Sequence, residues 1–297
     1  MQMSISNLNS KLPTQVSLQA EIWCGVQILW LLQFGKVEKP LKVLLNMSVN
    51  ESSFLRALNL EPTSKPPIWL MRQAGRYLPE YQDIRKHYKN FLDMCKEPKT
   101  CAELALQPIE RYRLDASILF SDILTIPDAF NLGLSFSEGE GPRFANPISL
   151  ASDIDNLNIF DVNNLDYVFK TVEETKKVLP ESLPLIGFCG SPWTLAAYSI
   201  EGSGSKTFPR LMKFLQLHSN SLEKLLDLYT DACFKYLKQQ IISGINAIQI
   251  FDSWADLLNE DKFKKYSVKP TKNLVKMLKN DNVTKTIPII LLKKLPP

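Results

Sequence analysis

The sequence is poor in the side chains that metal and disulfide chemistry need. Its 297 residues hold 2 histidines, His87 and His218, and 5 cysteines, Cys24, Cys95, Cys101, Cys189 and Cys233. The cysteines are odd in number and scattered, with no C-x-x-C pair. They read as reduced thiols of a cytoplasm-like compartment, not as a disulfide framework. Neither histidine stands at a metal-ligand spacing with a cysteine, so no zinc site is expected. No glycine-rich dinucleotide fingerprint follows any apolar run, which argues against a cofactor-binding Rossmann unit. There is no block of Lys or Arg, and the net charge of +4, from 35 basic and 31 acidic residues, is too mild to imply nucleic acid. The apolar stretch at residues 22–34, with Trp23 and Trp30, is too short to span a bilayer. No basic segment and small-residue cleavage site frame it as a secretory signal.

What is present is a globular composition, 45% hydrophobic and 22% charged, at a length that permits one large α/β domain or two ordinary ones. Residues 1–46 differ in character from the rest and read as an extension, which leaves room for an amphipathic targeting segment, to a plastid for example. A coherent pattern opens at Met47, so the domain is placed at residues 47–297. Apolar runs at 68–71, 116–121, 184–189, 247–251 and 287–292 read as five buried strands. Between and around them, residues 52–60, 78–88, 97–112, 167–179, 208–217, 221–242 and 262–278 read as helices. Pro108 should kink or break one helix, and Pro270 should interrupt the last. Ser191 as N-cap with Pro192 behind it is a good helix start. The segment punctuated by Gly133, Gly139, Gly141, Pro142 and Pro147 reads as loops and turns. Strands alternating with helices predict βα units and a parallel sheet. Polar residues gather at successive strand ends: Arg72 and Gln73, Asp122, Ser191, then Ser253. That is the face on which (β/α)8 barrels build their sites, although periodicity alone does not separate a barrel from an open sheet.

The most informative stretch is residues 66–81, P-P-I-W-L-M-R-Q-A-G-R-Y-L-P-E-Y. Two guanidiniums and an amide arrive together after a buried run, with Ala74 and Gly75 keeping the backbone bare between them. Arg presents a planar fork of donors suited to carboxylates and phosphates. The competing reading is that Arg72 and Arg76 are solvated, or pair with local acids such as Glu80. The stretch alone leaves both open.

Taken with L-F-S-D-I-L-T-I-P-D-A from Leu119, G-S-P-W-T-L-A-A-Y from Gly190, E-G-S-G-S-K from Glu201 and F-D-S-W-A from Phe251, this stretch resembles the uroporphyrinogen decarboxylase family. The likeness runs over residues 52–290, with five motifs in the right order. It implies a (β/α)8 TIM barrel, usually a homodimer. It also implies removal of CO2 from the four acetate side chains of uroporphyrinogen, giving coproporphyrinogen, with no metal or organic cofactor. By the match, Asp122 faces the pyrrole N–H groups and stabilises a cationic intermediate. Its competing reading is a helix N-cap or an Arg partner. Arg72 and Arg76 bind substrate carboxylates, Arg72 also helping to deliver a proton, and Gln73, Ala74 and Gly75 complete that cradle. Tyr198 and Ser253 contact the substrate; the competing reading of Ser253 is a hydroxyl that caps the next helix. Trp69, Trp193 and Trp254 are read as packing near the pocket.

The sequence also departs from the family. Arg113 and Asp256 stand where glycine is usual, so either could perturb a turn. After residues 287–290 the family continues into a Lys-Gly loop and three more βα units, whereas here the chain reads L-L-K-K-L-P-P. The family's late substrate-contacting histidine has no counterpart. Two expectations follow: a uroporphyrinogen decarboxylase with about five βα units in this chain, or an inactive remnant that at most binds tetrapyrrole or a full-length subunit. A related barrel enzyme that transfers methyl groups through zinc-bound thiolates is disfavoured by the lack of a His/Cys cluster.

Overall fold

The structure is a computed structural model that describes Val49 and residues 52–137, 141–157 and 159–293. The extension read at residues 1–46 lies outside the described residues. Among the described residues there are six strands: β1 Ser117–Ile118, β2 Leu134–Ser137, β3 Gly141–Phe144, β4 Leu185–Gly190, β5 Ala247–Asp252 and β6 Ile289–Lys293. β1, β4, β5 and β6 form one parallel sheet in that order, and β2 with β3 makes a separate antiparallel hairpin. Parallel neighbours cannot be joined by tight turns, so each crossover carries helices. The longer helices are α1 Pro98–Arg111, which precedes β1, and, in the crossovers, α2 Asp166–Val178, α3 Pro192–Glu201, α4 Ser219–Ile242 and α5 Lys269–Asn280.

β4 and β5 are buried at every position, as their near-continuous apolar sequences LIGFCG and AIQIFD require. Their register runs from Ile186 opposite Ala247 to Gly190 opposite Phe251. β6 continues it, ending with Asp252 opposite Lys293. β1 is short. Leu119 still donates to the Ile186 carbonyl at 2.9 Å, but the next polar groups of β4 need another partner. Gln240 of α4 supplies it: Phe188 N–H donates to its Oε1 at 3.1 Å, and its Nε2 donates to the Phe188 carbonyl at 3.0 Å. Gly187 makes this approach feasible, since a Cβ there would lie 2.4 Å from Gln240 Oε1.

Four of the five expected strands form. The first, residues 68–71, runs beside β1 without joining its ladder. Ile68 donates its N–H to Asp115 Oδ2 at 2.7 Å, and its carbonyl accepts from Asp115 N–H at 2.7 Å. Nor is the run covered on both faces, since Trp69 is buried while Ile68 and Met71 are 37% and 45% exposed. The loop expected after Asp122 contains the β2–β3 hairpin, in which Leu134 and Phe144 are buried while Ser135 and Arg143 face water. Pro108 does not break α1. One more turn follows it, closed by Tyr112 N–H on the Pro108 carbonyl at 2.9 Å. The last helix is interrupted just before Pro270, by a π-helical segment at Phe263–Val268, and Pro270 then sits in the first turn of α5. Ser191 caps α3 as expected, accepting from Thr194 N–H at 3.1 Å. Neither Arg113 nor Asp256 takes a left-handed backbone, so the loss of glycine strains neither turn. Among the described residues, no helix is long and apolar enough to cross a membrane.

Candidate active site

Asp122 follows β1 by four residues and keeps only part of its surface in water. Leu124 N–H donates to its Oδ1 at 2.8 Å, and Thr125 Oγ1 donates to its carbonyl at 3.2 Å, which fixes the carboxylate. The N-cap position of the next short helix is Leu124, so Asp122 is not that helix's cap. Burial pushes its carboxyl from 3.8 up to about 6, while the Leu124 N–H and the Arg72 guanidinium pull it down. Arg72 acts on it without a direct ion pair. The negative charge of Asp122 is felt in turn by Cys95, Tyr167, Tyr198 and Tyr236, whose acidities burial already weakens.

Arg72 and Arg76 are both exposed, and neither is ion-paired among the described residues. Glu80, the acid considered as their local partner, is taken by Arg111 in a two-point contact of 3.0 and 2.8 Å. The two free guanidiniums flank a closely held turn. Gly75 accepts Leu78 N–H at 3.0 Å, Arg76 accepts Gln82 Nε2 at 2.7 Å, and Tyr77 donates its hydroxyl to the Gln73 carbonyl. Ala74 packs on the buried cluster of Leu78, Tyr81, Met94 and Leu104, which seats the underside of the turn. Gly75 leaves its outer face clear but for the Tyr77 ring, 3.6 Å from where a Cβ would be. Gln73 differs from the other cradle residues. It is 2% exposed, and its amide is spent on the backbone around β1.

Tyr198 lies on α3, its ring edge-on to Phe208 at 6.1 Å and to Trp254 at 5.8 Å. Burial raises its pKa. The Trp254 indole offsets this, Asp122 adds to it, and Arg72 opposes it. Tyr198, Asp122 and Arg72 thus share one electrostatic neighbourhood. Ser253 follows β5, its N–H held by Thr194 Oγ1 at 2.9 Å. The next helical turn is led by Trp254, so the Ser253 hydroxyl caps nothing there. Trp193 is fully buried and donates its indole N–H to the Trp254 carbonyl at 2.8 Å; Trp69 is buried too.

Sequence reasoning gave no role to Asp252, which is 1% exposed at the end of β5. It accepts from Ser191 Oγ at 2.8 Å, Thr194 Oγ1 at 3.2 Å and Ser267 Oγ at 2.5 Å, with Lys293 Nζ 3.5 Å away. These partners tie the start of α3, the π-helical segment and β6 to one carboxylate. The signal in the sequence was a charged residue closing an apolar strand.

The family profile described as uroporphyrinogen decarboxylase (URO-D) matches residues 50–294. Curated relatives with that name include one from Legionella pneumophila (strain Philadelphia 1), 46% identical over 83% of this chain and 70% of its own. One from Saccharophagus degradans is 47% identical over 81% and 68%. One from Neisseria meningitidis serogroup B is 45% identical over 84% and 70%. Among solved structures, a methyltransferase from Methanosarcina mazei superposes with a TM-score of 0.65, covering 82% of this chain and 69% of that one. At 20% identity, that likeness speaks for the barrel-type fold alone. The profile spans all five motifs and every strand-end residue described above, and the chain belongs to the uroporphyrinogen decarboxylase family.

Proposed function

We propose that this chain decarboxylates the acetate side chains of uroporphyrinogen to give coproporphyrinogen, in haem biosynthesis. One observation carries the assignment of roles: a part-buried carboxylate just beyond β1, Asp122, lies in the field of an exposed guanidinium, Arg72, that pairs with no acid among the described residues. The reaction needs both signs. Protonation of the ring carbon next to the one that bears the acetate leaves positive charge on the ring, conjugated with the acetate-bearing carbon. The bond to the carboxylate then breaks, CO2 leaves, and its electron pair neutralises the ring. A second proton turns the exocyclic methylene into a methyl group, and loss of the first restores the pyrrole, so each step replaces CO2 by one proton.

Asp122 is the group that faces the pyrrole N–H groups and stabilises the cation. With its carboxyl near 6 it is largely ionised at neutral pH, and a cation beside it favours ionisation further. Arg72 and Arg76 receive substrate carboxylates, and Arg72 also orients the proton donor. Ala74 and Gly75 leave their backbone open to the same anions. Tyr198 and Ser253 contact the substrate. The substrate supplies its own electron sink, so no metal or organic cofactor is needed. On this reading the active unit is a homodimer, which light scattering on the purified protein checks.

The test is incubation of the purified protein with uroporphyrinogen under anaerobic conditions, with and without a chelator. Stepwise loss of four CO2, equal in both, is expected. Folded protein that binds uroporphyrinogen but yields no coproporphyrinogen would instead favour a binding-only chain.

A further inference from the structure

We infer that Gln73 is a positioning residue whose side-chain amide splints the Arg72–Arg76 turn onto β1 and so sets Arg72 against Asp122. Its Nε2 donates to the Ala116 carbonyl at 2.7 Å, and its Oε1 accepts Ile118 N–H at 3.1 Å. These groups flank Ser117 on the edge of the sheet where no ladder partner stands among the described residues. One amide thus does locally what a neighbouring strand would do. Both ends of the device matter to the site. Gln73 is bonded covalently to Arg72, and Ile118 lies four residues before Asp122. A planar amide held at both atoms fixes the separation of the two charged groups more closely than a flexible loop could. The amide is also too deeply buried, at 2% exposure, to reach a substrate.

Besides burial, the groups that act on the Asp122 titration are Arg72 from the turn and the Leu124 N–H. Tyr198 of α3, Tyr236 of α4, Tyr167 of α2 and Cys95 of the short helix Phe91–Cys95 lie in its field but carry no charge in the range where it ionises. Arg72 is the cation among them, and only Arg72 rides on the splinted turn. If the splint places it, loss of the splint should weaken its hold on Asp122 and raise the pH at which Asp122 ionises.

The catalytic meaning of this inference rests on the proposed decarboxylase reading, so the first measurement does not use turnover. Carbonyl-13C aspartate is incorporated, the Asp122 resonance is assigned with Asp122→Asn, and its titration is followed by NMR in the wild type, Arg72→Gln, Gln73→Leu and the double variant. Gln73→Leu should move the midpoint upward, in the direction of Arg72→Gln, and the double variant should go no further than Arg72→Gln alone. Should Gln73→Leu not fold, Gln73→Asn serves, since it keeps the amide but is one methylene too short to reach both backbone groups. A Gln73 variant that lowers the unfolding midpoint while leaving the Asp122 titration unmoved would reduce Gln73 to a structural residue and overturn the inference. So would an Arg72→Gln variant with unchanged titration. The second measurement is kcat/KM for uroporphyrinogen, expected to fall on the order of 10–100-fold in Gln73→Leu, with the acid limb of its pH profile displaced upward. If the wild type proves inactive while the NMR pattern holds, the decarboxylase reading fails and the splint stands.

Discussion

A carboxylate that ionises with difficulty weakens the fold it serves. The Asp122 carboxyl holds its proton up to about 6 in the folded chain, against 3.8 as the ordinary value. Between those values the native state binds more protons than the unfolded one, so stability from this group is full at acid pH and falls as pH rises from about 4 to about 6. Above that window the charge costs on the order of 1–3 kcal/mol, discounted for its partial contact with water. Asp122→Asn should therefore raise the free energy of unfolding by about 1–2 kcal/mol at pH 8 and make little difference at pH 4. The same substitution should lower kcat far more than it raises KM, as for an interaction made mainly in the transition state. Urea titrations at the two pH values, beside steady-state kinetics, check both halves. A variant that is less stable at pH 8, or that turns over within about twofold of the parent, would remove Asp122 from its assigned place. Arg72→Lys and Arg76→Lys keep the charge but lose the planar fork, so each should raise KM for uroporphyrinogen. Unchanged KM in both would mean that the exposed guanidiniums are not substrate receptors. Residues of this kind were legible in the sequence because charge at the end of an apolar run is conspicuous. Gln73 was read, through the family resemblance, as a member of the substrate cradle, and its bonds to the backbone around β1 were not legible. Its partners lie 43 and 45 residues away, and no local pattern announces a bond of that span.

Elements were readable where periodicity and packing agreed. β4, β5 and α4 came through because their burial follows directly from their apolar spacing. The run at residues 68–71 has the composition of a strand, yet Asp115 and Gln73 occupy the bonds that a ladder would make. Composition cannot see which atom takes a hydrogen bond. Pro108 leaves α1 unbroken for a related reason: with a single turn beyond it, α1 loses few bonds to the missing N–H, and the proline itself is buried. Asp252 operates at this scale, since its carboxylate joins the ends of β5, α3 and the π-helical segment. Asp252→Ala leaves three hydroxyls and the Lys293 ammonium facing a void, and should destabilise the protein by about 2–5 kcal/mol. Chemical denaturation measures this, and a cost below about 1 kcal/mol would mean that water replaces the carboxylate without loss.

At the scale of the whole molecule, the βα alternation predicts parallel sheet and barrel class together. The parallel order β1, β4, β5, β6 agrees with it, as does the superposition on another barrel-type chain. The hairpin β2–β3 escaped because Gly133, Gly141 and Pro142 signal turns whether or not two short strands pair between them. The domain boundary near Met47 is proposed on composition, with the family profile opening at residue 50. Deleting residues 1–46 should then shift the thermal midpoint by less than about 2 °C. A larger fall would assign that segment to the domain.

The side-chain attachment of residues 68–73 has a kinetic consequence. A ladder opens in company with its neighbouring strands, but a segment fastened mainly by side chains, with one backbone bond from Asp115 N–H to the Ile68 carbonyl, can detach alone. In native-state hydrogen exchange the amides of Ile68 and Ile118 should therefore report a shallow local opening, while those of Ile248 and Ile250 exchange only with global unfolding. The arm that bears Arg72 would then be hinged rather than woven, able to swing aside while the sheet behind it stays shut.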